Sequence, residues 1–203
     1  MSRDNVMAQI NEQRVDLPCV DVVYPQVAGL SDKEVQSRIN QMIEEQITDL
    51  LSEVDCADGW TATGRYSVEV NQNGILSIRL EVYTYKEQQA HGMTVVKSLT
   101  VDLASGKVYE LRDLFKRNSH YILRLSNIIK EQIQERDLPL INEFNRISDN
   151  EEFYLTENAL VIYFQLYEYT PYYVGIPEFV IPYDRIRNLI REDGPIGRIL
   201  EDQ

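Results

Sequence analysis

Tyr66-Ser67-Val68-Glu69-Val70-Asn71-Gln72-Asn73-Gly74-Ile75-Leu76-Ser77-Ile78-Arg79-Leu80-Glu81-Val82 decides the fold class. Tyr66, Val68 and Val70 alternate with Ser67 and Glu69, and Leu76, Ile78, Leu80 and Val82 alternate with Ser77, Arg79 and Glu81. A period of two puts each apolar set on one face of a strand. Asn73-Gly74 between them accepts the positive φ of a tight turn, so the pair predicts an antiparallel hairpin. A third run, Val95, Leu99, Val101 and Leu103, ends at the turn Ala104-Ser105-Gly106-Lys107. Residues 64–110 therefore read as a meander with one buried face.

A buried sheet face needs a cover. Ser31 and Glu34 have capping-box spacing, and Val35, Ile39, Met42, Ile43, Ile47, Leu50, Leu51 and Val54 follow at helical intervals. The spacing predicts a helix over 31–54 lying on the Leu76/Ile78/Leu80 face. A second helix is expected over 118–136, capped by Asn118 or Ser119, with the stripe Ile122, Leu125, Ile129 and Ile133. Val15–Tyr24 reads as an edge strand because Pro18 cannot donate to a ladder, and Pro25 and Gly29 read as breaks. Leu160–Leu166 and Phe179–Tyr183 read as strands within 158–183, and a last helix carries Ile186, Leu189 and Ile190. Hairpin-linked strands without βαβ alternation make the fold class α+β, a mostly antiparallel sheet with two main helices on one face. One domain is expected over 15–192, after a flexible lead-in (1–14) and before a tail (193–203).

The 203 residues include 33 acidic and 20 basic side chains, for a net charge of -13. Scattered basic residues in an acidic chain argue against nucleic acid and anionic membranes as partners and favour a basic one. No apolar run reaches the ~20 residues of a membrane span. Met1–Gln13 is polar and carries no signal-peptide core, so the chain reads as cytoplasmic as written unless an export segment lies outside it. On that reading Cys19 and Cys56 are expected to be free thiols.

Four segments carry a family resemblance. They are Tyr24-Pro25-Gln26-Val27-x-Gly29-Leu30 with Ile39-Asn40; Tyr83-x-Tyr85 with Ala90-His91-Gly92; Asp102-x-x-x-Gly106-Lys107 with Leu111-x-Asp113-Leu114-Phe115; and Phe153-Tyr154-Leu155-Thr156 followed by Leu160–Phe164, Tyr167, Pro171-Tyr172, Gly175 and Ile181-Pro182. In order and spacing they resemble a Firmicutes domain of unknown function. That domain forms the extracytoplasmic, lysozyme-sensing part of the anti-sigma-V factor (RsiV-like), and it also stands beside the catalytic domain of a peptidoglycan deacetylase (PdaC-like). The resemblance covers 15–190 and implies a non-catalytic, extracytoplasmic binding domain. Its implied partner is a basic, lysozyme-like protein or peptidoglycan. The sigma-binding segment, the membrane span and the deacetylase catalytic domain have no counterpart in these residues.

No zinc, calcium, phosphate-loop or nucleophile-elbow pattern appears, and no cofactor or metal is expected. His91 reads either as a backbone-bonded turn residue beside a left-handed Gly92, or as the base of a hydrolase working with an Asp or Glu. Asp149, Glu151 and Glu152 read as a solvated run. Among the 13 tyrosines, Tyr83 and Tyr85 share one strand face. Tyr163, Tyr167 and Tyr169 share one face of the Leu160–Leu166 strand, with Tyr172 and Tyr173 just beyond, and the two sets make one aromatic surface if the strands are neighbours. The candidate binding residues are Tyr83, Tyr85, His91, Gly92, Tyr167, Tyr169, Pro171, Tyr172, Tyr173 and Gly175. They form either a recognition surface or a second, smaller core. A self-associating assembly component is the third reading.

Overall fold

The computed structural model describes residues 6–201, so the outermost parts of the expected lead-in and tail (1–5, 202–203) lie outside the described residues. The fold is α+β. Where the sequence predicts one domain over 15–192, the chain divides into two compact units, 1–107 and 108–203.

The first unit is a five-stranded sheet in the order β1-β2-β3-β4-β5, with β1 at Gln9–Arg14, β2 at Val20–Ala28, β3 at Trp60–Gln72, β4 at Ile75–Lys86 and β5 at Met93–Asp102. The predicted hairpin is β3–β4. Gln72 pairs with Ile75, and the two turn residues have φ of 50° (Asn73) and 72° (Gly74). Two positive φ angles in succession match the right-handed twist of the flanking strands. The register slips once, at a bulge between Val68 and Val70.

Helix α1 (Lys33–Leu50) covers one face. Val35, Ile39, Ile43 and Ile47 are buried in one cluster with Leu76, Ile78, Leu80, Val82, Leu99 and Val101, while Met42, Leu50, Leu51 and Val54 are partly buried at its margin. The cap is Asp32 rather than Ser31: its carboxylate accepts from the Glu34 and Val35 amides at 2.9 and 3.1 Å. A charged acceptor at a helix N-terminus also meets the positive end of the macrodipole.

The N-terminal region differs from the sequence expectation in four ways. Gln9–Arg14 is a strand, because β2 offers it an antiparallel edge. Strand β2 begins at Val20 rather than Val15, with Pro18 in the turn before it. Pro25 does not break β2; it pairs with Glu12 beyond the point, Val22↔Gly64, where the ladder to β3 ends, so β2 is bonded on one side only there. Finally, β2 and β3 are parallel neighbours joined through α1, a βαβ connection inside an otherwise antiparallel sheet. That pairing corrects the thiol expectation as well. The Ala62 amide bonds the Cys19 carbonyl at 3.0 Å. Cys56, just ahead of β3, is thereby brought within 5.4 Å (Cα–Cα) of Cys19, and the two form a disulfide.

The second unit is a three-stranded antiparallel sheet, β6 (Phe153–Leu155), β7 (Ala159–Tyr163) and β8 (Glu178–Pro182), with α2 (Tyr121–Glu135) and α3 (Pro195–Leu200). Leu125, Ile128 and Ile129 of α2 are buried. Gln132 and Arg136 donate to the Val180 and Glu178 carbonyls at 2.7 and 2.8 Å, which satisfies and shields the β8 edge. The N-cap of α2 is His120, at φ 54° and without a side-chain cap bond, instead of Asn118 or Ser119. Where a last helix over Ile186–Ile190 is expected, the chain forms two short 3-10 turns, Tyr183–Arg185 and Arg187–Leu189, and the last helix begins after Gly194, with Pro195 at its first turn.

Candidate functional site

The candidate residues divide between the units. In the first unit, β4 carries Tyr83 and Tyr85 into the loop 87–92. Tyr83 Oη accepts the Gly92 amide at 3.1 Å, and Tyr85 Oη donates to the Gln89 carbonyl at 3.3 Å. His91 Nδ1 lies 3.0 Å from the Gly92 carbonyl oxygen. The reason for Gly92 is close approach rather than a left-handed backbone: a Cβ there would sit 2.2 Å from the Thr84 carbonyl oxygen and 2.5 Å from Tyr83 Cζ. Positive φ falls on Gln88 (70°) instead. Lys86, beside this loop, pairs with Asp58 and lies 5.7 Å from the Trp60 ring. The two tyrosines therefore brace the loop that presents His91, which is exposed.

In the second unit, β7 stops at Tyr163, and the expected common face of Tyr163, Tyr167 and Tyr169 does not form. Tyr163 is buried against Tyr154, with ring centroids 6.1 Å apart. Phe164–Pro177 is a loop closed at its ends by the Phe164 amide on the Pro177 carbonyl at 3.2 Å. Tyr169 turns inward onto Phe164 and Phe144, at 4.7 and 5.3 Å in edge-to-face geometry. Pro171 leads a 3-10 turn, Tyr172–Val174. Gly175 closes it at φ 78°, ψ -154°, a region essentially restricted to glycine. Tyr167 (φ 65°, 43% exposed) stacks at a tilt on Tyr172, 5.9 Å away, and Tyr173 is 79% exposed.

Carboxylates surround this loop. Glu152 accepts from Gln165 Nε2 at 2.7 Å, Glu168 accepts the Gln165 amide at 2.9 Å, and Glu151 accepts the Ser148 amide at 2.7 Å. Burial pushes the Glu168 carboxyl above its ordinary value; the Gln165 amide opposes this, and Glu151 and Glu152 add to it. Of this acidic run, Glu152 is thus tied to the tyrosine loop, while Asp149 is exposed. Sequence reasoning missed this because the tie is non-local: Glu152 and Gln165 lie 13 positions apart.

Several motif residues turn out to hold the fold. Asn40 donates to the Val27 carbonyl at 2.9 Å and accepts its amide at 2.7 Å. Asp102 Oδ1 accepts from the Ala104 amide and from the Ser105 amide and hydroxyl, shaping the Gly106-Lys107 turn. Asp113 accepts the Glu110 amide at 3.1 Å. Among the described residues, no three His, Cys, Asp or Glu side chains gather as a metal site, and no helix is long and apolar enough to cross a membrane.

The two units correspond to two known family models. Residues 12–94 match the model described as deacetylase PdaC, and residues 112–184 match the protein of unknown function DUF3298. The chain is 30% identical over 200 residues to the anti-sigma-V factor RsiV of Bacillus subtilis (strain 168), covering 90% of this chain and 68% of that protein. The chain belongs to the RsiV family. Its fold is shared by crystal structures of DUF3298 proteins from Bacteroides fragilis (TM-score 0.67, 16% identity, 98% of this chain and 97% of that one) and Pseudomonas aeruginosa (TM-score 0.66, 15% identity, 94% and 97%).

Proposed function

We propose that the chain is a non-catalytic binding module whose partner is a basic protein, such as a lysozyme-like wall-active enzyme. The observation that carries this reading is the loop 164–177. Tyr167, Tyr172 and Tyr173 stand on a closed, glycine-terminated turn beside Glu151, Glu152 and Glu168. Tyrosine offers large contact area with few rotors, and the carboxylates attract a cationic surface. The net charge of -13 would steer such a partner at long range. Relationship to an anti-sigma-V factor supports partner binding over catalysis. The rivals are peptidoglycan glycan as the ligand, and hydrolysis using His91, to which the deacetylase model over 12–94 lends weight. The Cys19–Cys56 bridge supports work in an oxidising, extracytoplasmic compartment.

The test is titration of the full chain with hen-type lysozyme and, separately, with soluble peptidoglycan fragments, by calorimetry at two salt concentrations. Lysozyme binding that weakens with salt, and loses ~2 kcal/mol or more in Tyr172→Ala or Tyr173→Ala, is expected if either ring is a central anchor. No binding, or binding indifferent to both substitutions and to Tyr85→Ala, overturns the assignment. Release of acetate or cleaved glycan, abolished by His91→Ala, would favour the enzyme reading.

A further inference from the structure

A groove in the second unit has chemistry opposite to that of the chain as a whole. Its volume is about 410 Å³, within the range of small-ligand sites. One wall is a stripe of α2, in which Leu123, Asn127 and Lys130 recur at helical spacing. The other is Asn145-Arg146. That segment is fixed on both sides by the buried Phe144 and Ile147. Ser126 Oγ ties it to the helix, accepting the Ile147 amide at 3.1 Å while donating to the Ile122 carbonyl at 2.6 Å. The walls are therefore set before any ligand arrives.

No carboxylate lines this groove. Among the described residues, Lys130 and Arg146 form no ion pair, and the side chains of Asn118, Asn127 and Asn145 form no hydrogen bond within the protein. The Ser119 hydroxyl, in the lining, is buried without a hydrogen-bond partner among the described residues. A buried hydroxyl left unpaired is costly and calls for an explanation. Also in the lining, α2 begins at His120 with no side-chain cap. An adjoining cleft, sharing Asn118 and Tyr121 and lined also by Asp113 and Lys116, holds Arg117, which among the described residues forms no ion pair; Arg112 and Arg191 there are taken by Glu110 and Asp193. Asp149 is the carboxylate whose charge reaches Tyr121. Cations and amide groups held open at one fixed place in a chain of net charge -13 are not explained by solubility.

We propose that this groove binds an acidic sugar, a polyhydroxylated ring carrying a carboxylate or phosphate. Lys130 and Arg146 take the oxyanion, with the uncapped first turn of α2 facing it. Asn118, Asn127, Asn145 and Ser119 meet the ring hydroxyls, each amide offering both donor and acceptor. The lining shares no residue with the tyrosine loop, although Phe144 beside it packs on Tyr169, so substitutions confined to exposed side chains can test each separately.

The experiment is a chemical-shift titration of the full chain at low salt with glucuronate, glucose 6-phosphate, glucose and inorganic phosphate. Saturable shifts centred on Asn127, Lys130 and Arg146 are expected for glucuronate, glucose 6-phosphate or both, and which of them binds names the acid group. Glucose and inorganic phosphate should each bind at least about tenfold more weakly, since each lacks one half of the contacts. Lys130→Gln and Arg146→Gln change exposed side chains and should each weaken binding about tenfold, whereas Tyr173→Ala should not. Absence of saturation by both acidic sugars overturns the proposal. So does binding unchanged in the Lys130→Gln/Arg146→Gln double variant, or inorganic phosphate binding as tightly as the sugar phosphate.

Discussion

Replacing Gly92 by alanine tests whether the Ala90-His91-Gly92 motif serves the fold. The added methyl would lie 2.2 Å from the Thr84 carbonyl oxygen and 2.5 Å from Tyr83 Cζ. The Tyr83 ring can swing aside, but Thr84 is backbone held in the β4–β5 ladder by its pairing with Met93. The ladder end must open. Overpacking of this kind costs roughly 1–3 kcal/mol. Moving Tyr83 also breaks the 3.1 Å bond from the Gly92 amide, worth about 1 kcal/mol. The expected loss is about 2–4 kcal/mol from the sum of the two. Tyr83→Phe isolates the second part and should cost about 1–2 kcal/mol, including the amide left unpaired. Urea unfolding followed by Trp60 fluorescence reads this directly, because the single tryptophan of the chain opens β3, across the sheet from Lys86 at the same end. A Gly92→Ala protein within about 0.5 kcal/mol of wild type would refute the close-approach account and return the motif to a purely functional reading.

Reducing the Cys19–Cys56 bridge, which spans 37 positions, should remove roughly 4 kcal/mol by the loop-entropy relation; urea midpoints with and without reductant measure it. Ile43→Ala, at a fully buried position under the sheet, should cost ~2–5 kcal/mol, and a smaller loss would mean that α1 does not seal that core. The Glu168 carboxyl is raised in the folded state, so its ionisation opposes folding once the pH exceeds its ordinary value, and stability is regained as the pH falls. Glu168→Gln keeps an acceptor for the Gln165 amide and should raise the unfolding midpoint at pH 7, with the difference vanishing toward pH 4; a gain that persists at acid pH would contradict the burial argument.

Local periodicity carried the elements whose partners are close in sequence. The β3–β4 hairpin, the third strand and the apolar stripe of α1 could be read because a period of two or of 3.6 is written into consecutive side chains, and Asn73-Gly74 can take two positive φ angles. The family could be read because Asp102 and Asp113 stand at fixed offsets from the turns they shape, and Asn40 at a fixed offset from the β2 residue it bonds, Val27. What tertiary structure decided was every relation between distant residues. The parallel pairing of β2 with β3 rests on three residues, Val20–Val22, too few to leave a pattern, yet it brings Cys19 to Cys56 and makes a disulfide where free thiols were expected. Alternation beyond Tyr163 looked like strand, but β7 ends at Tyr163, and the positive φ of Tyr167 turns the chain so that the half-buried Tyr169 packs on Phe164 while Tyr173 is left in solvent. Side-chain parity holds only while the backbone stays extended, and where it turns, packing alone determines which rings are buried and which are free to meet a partner.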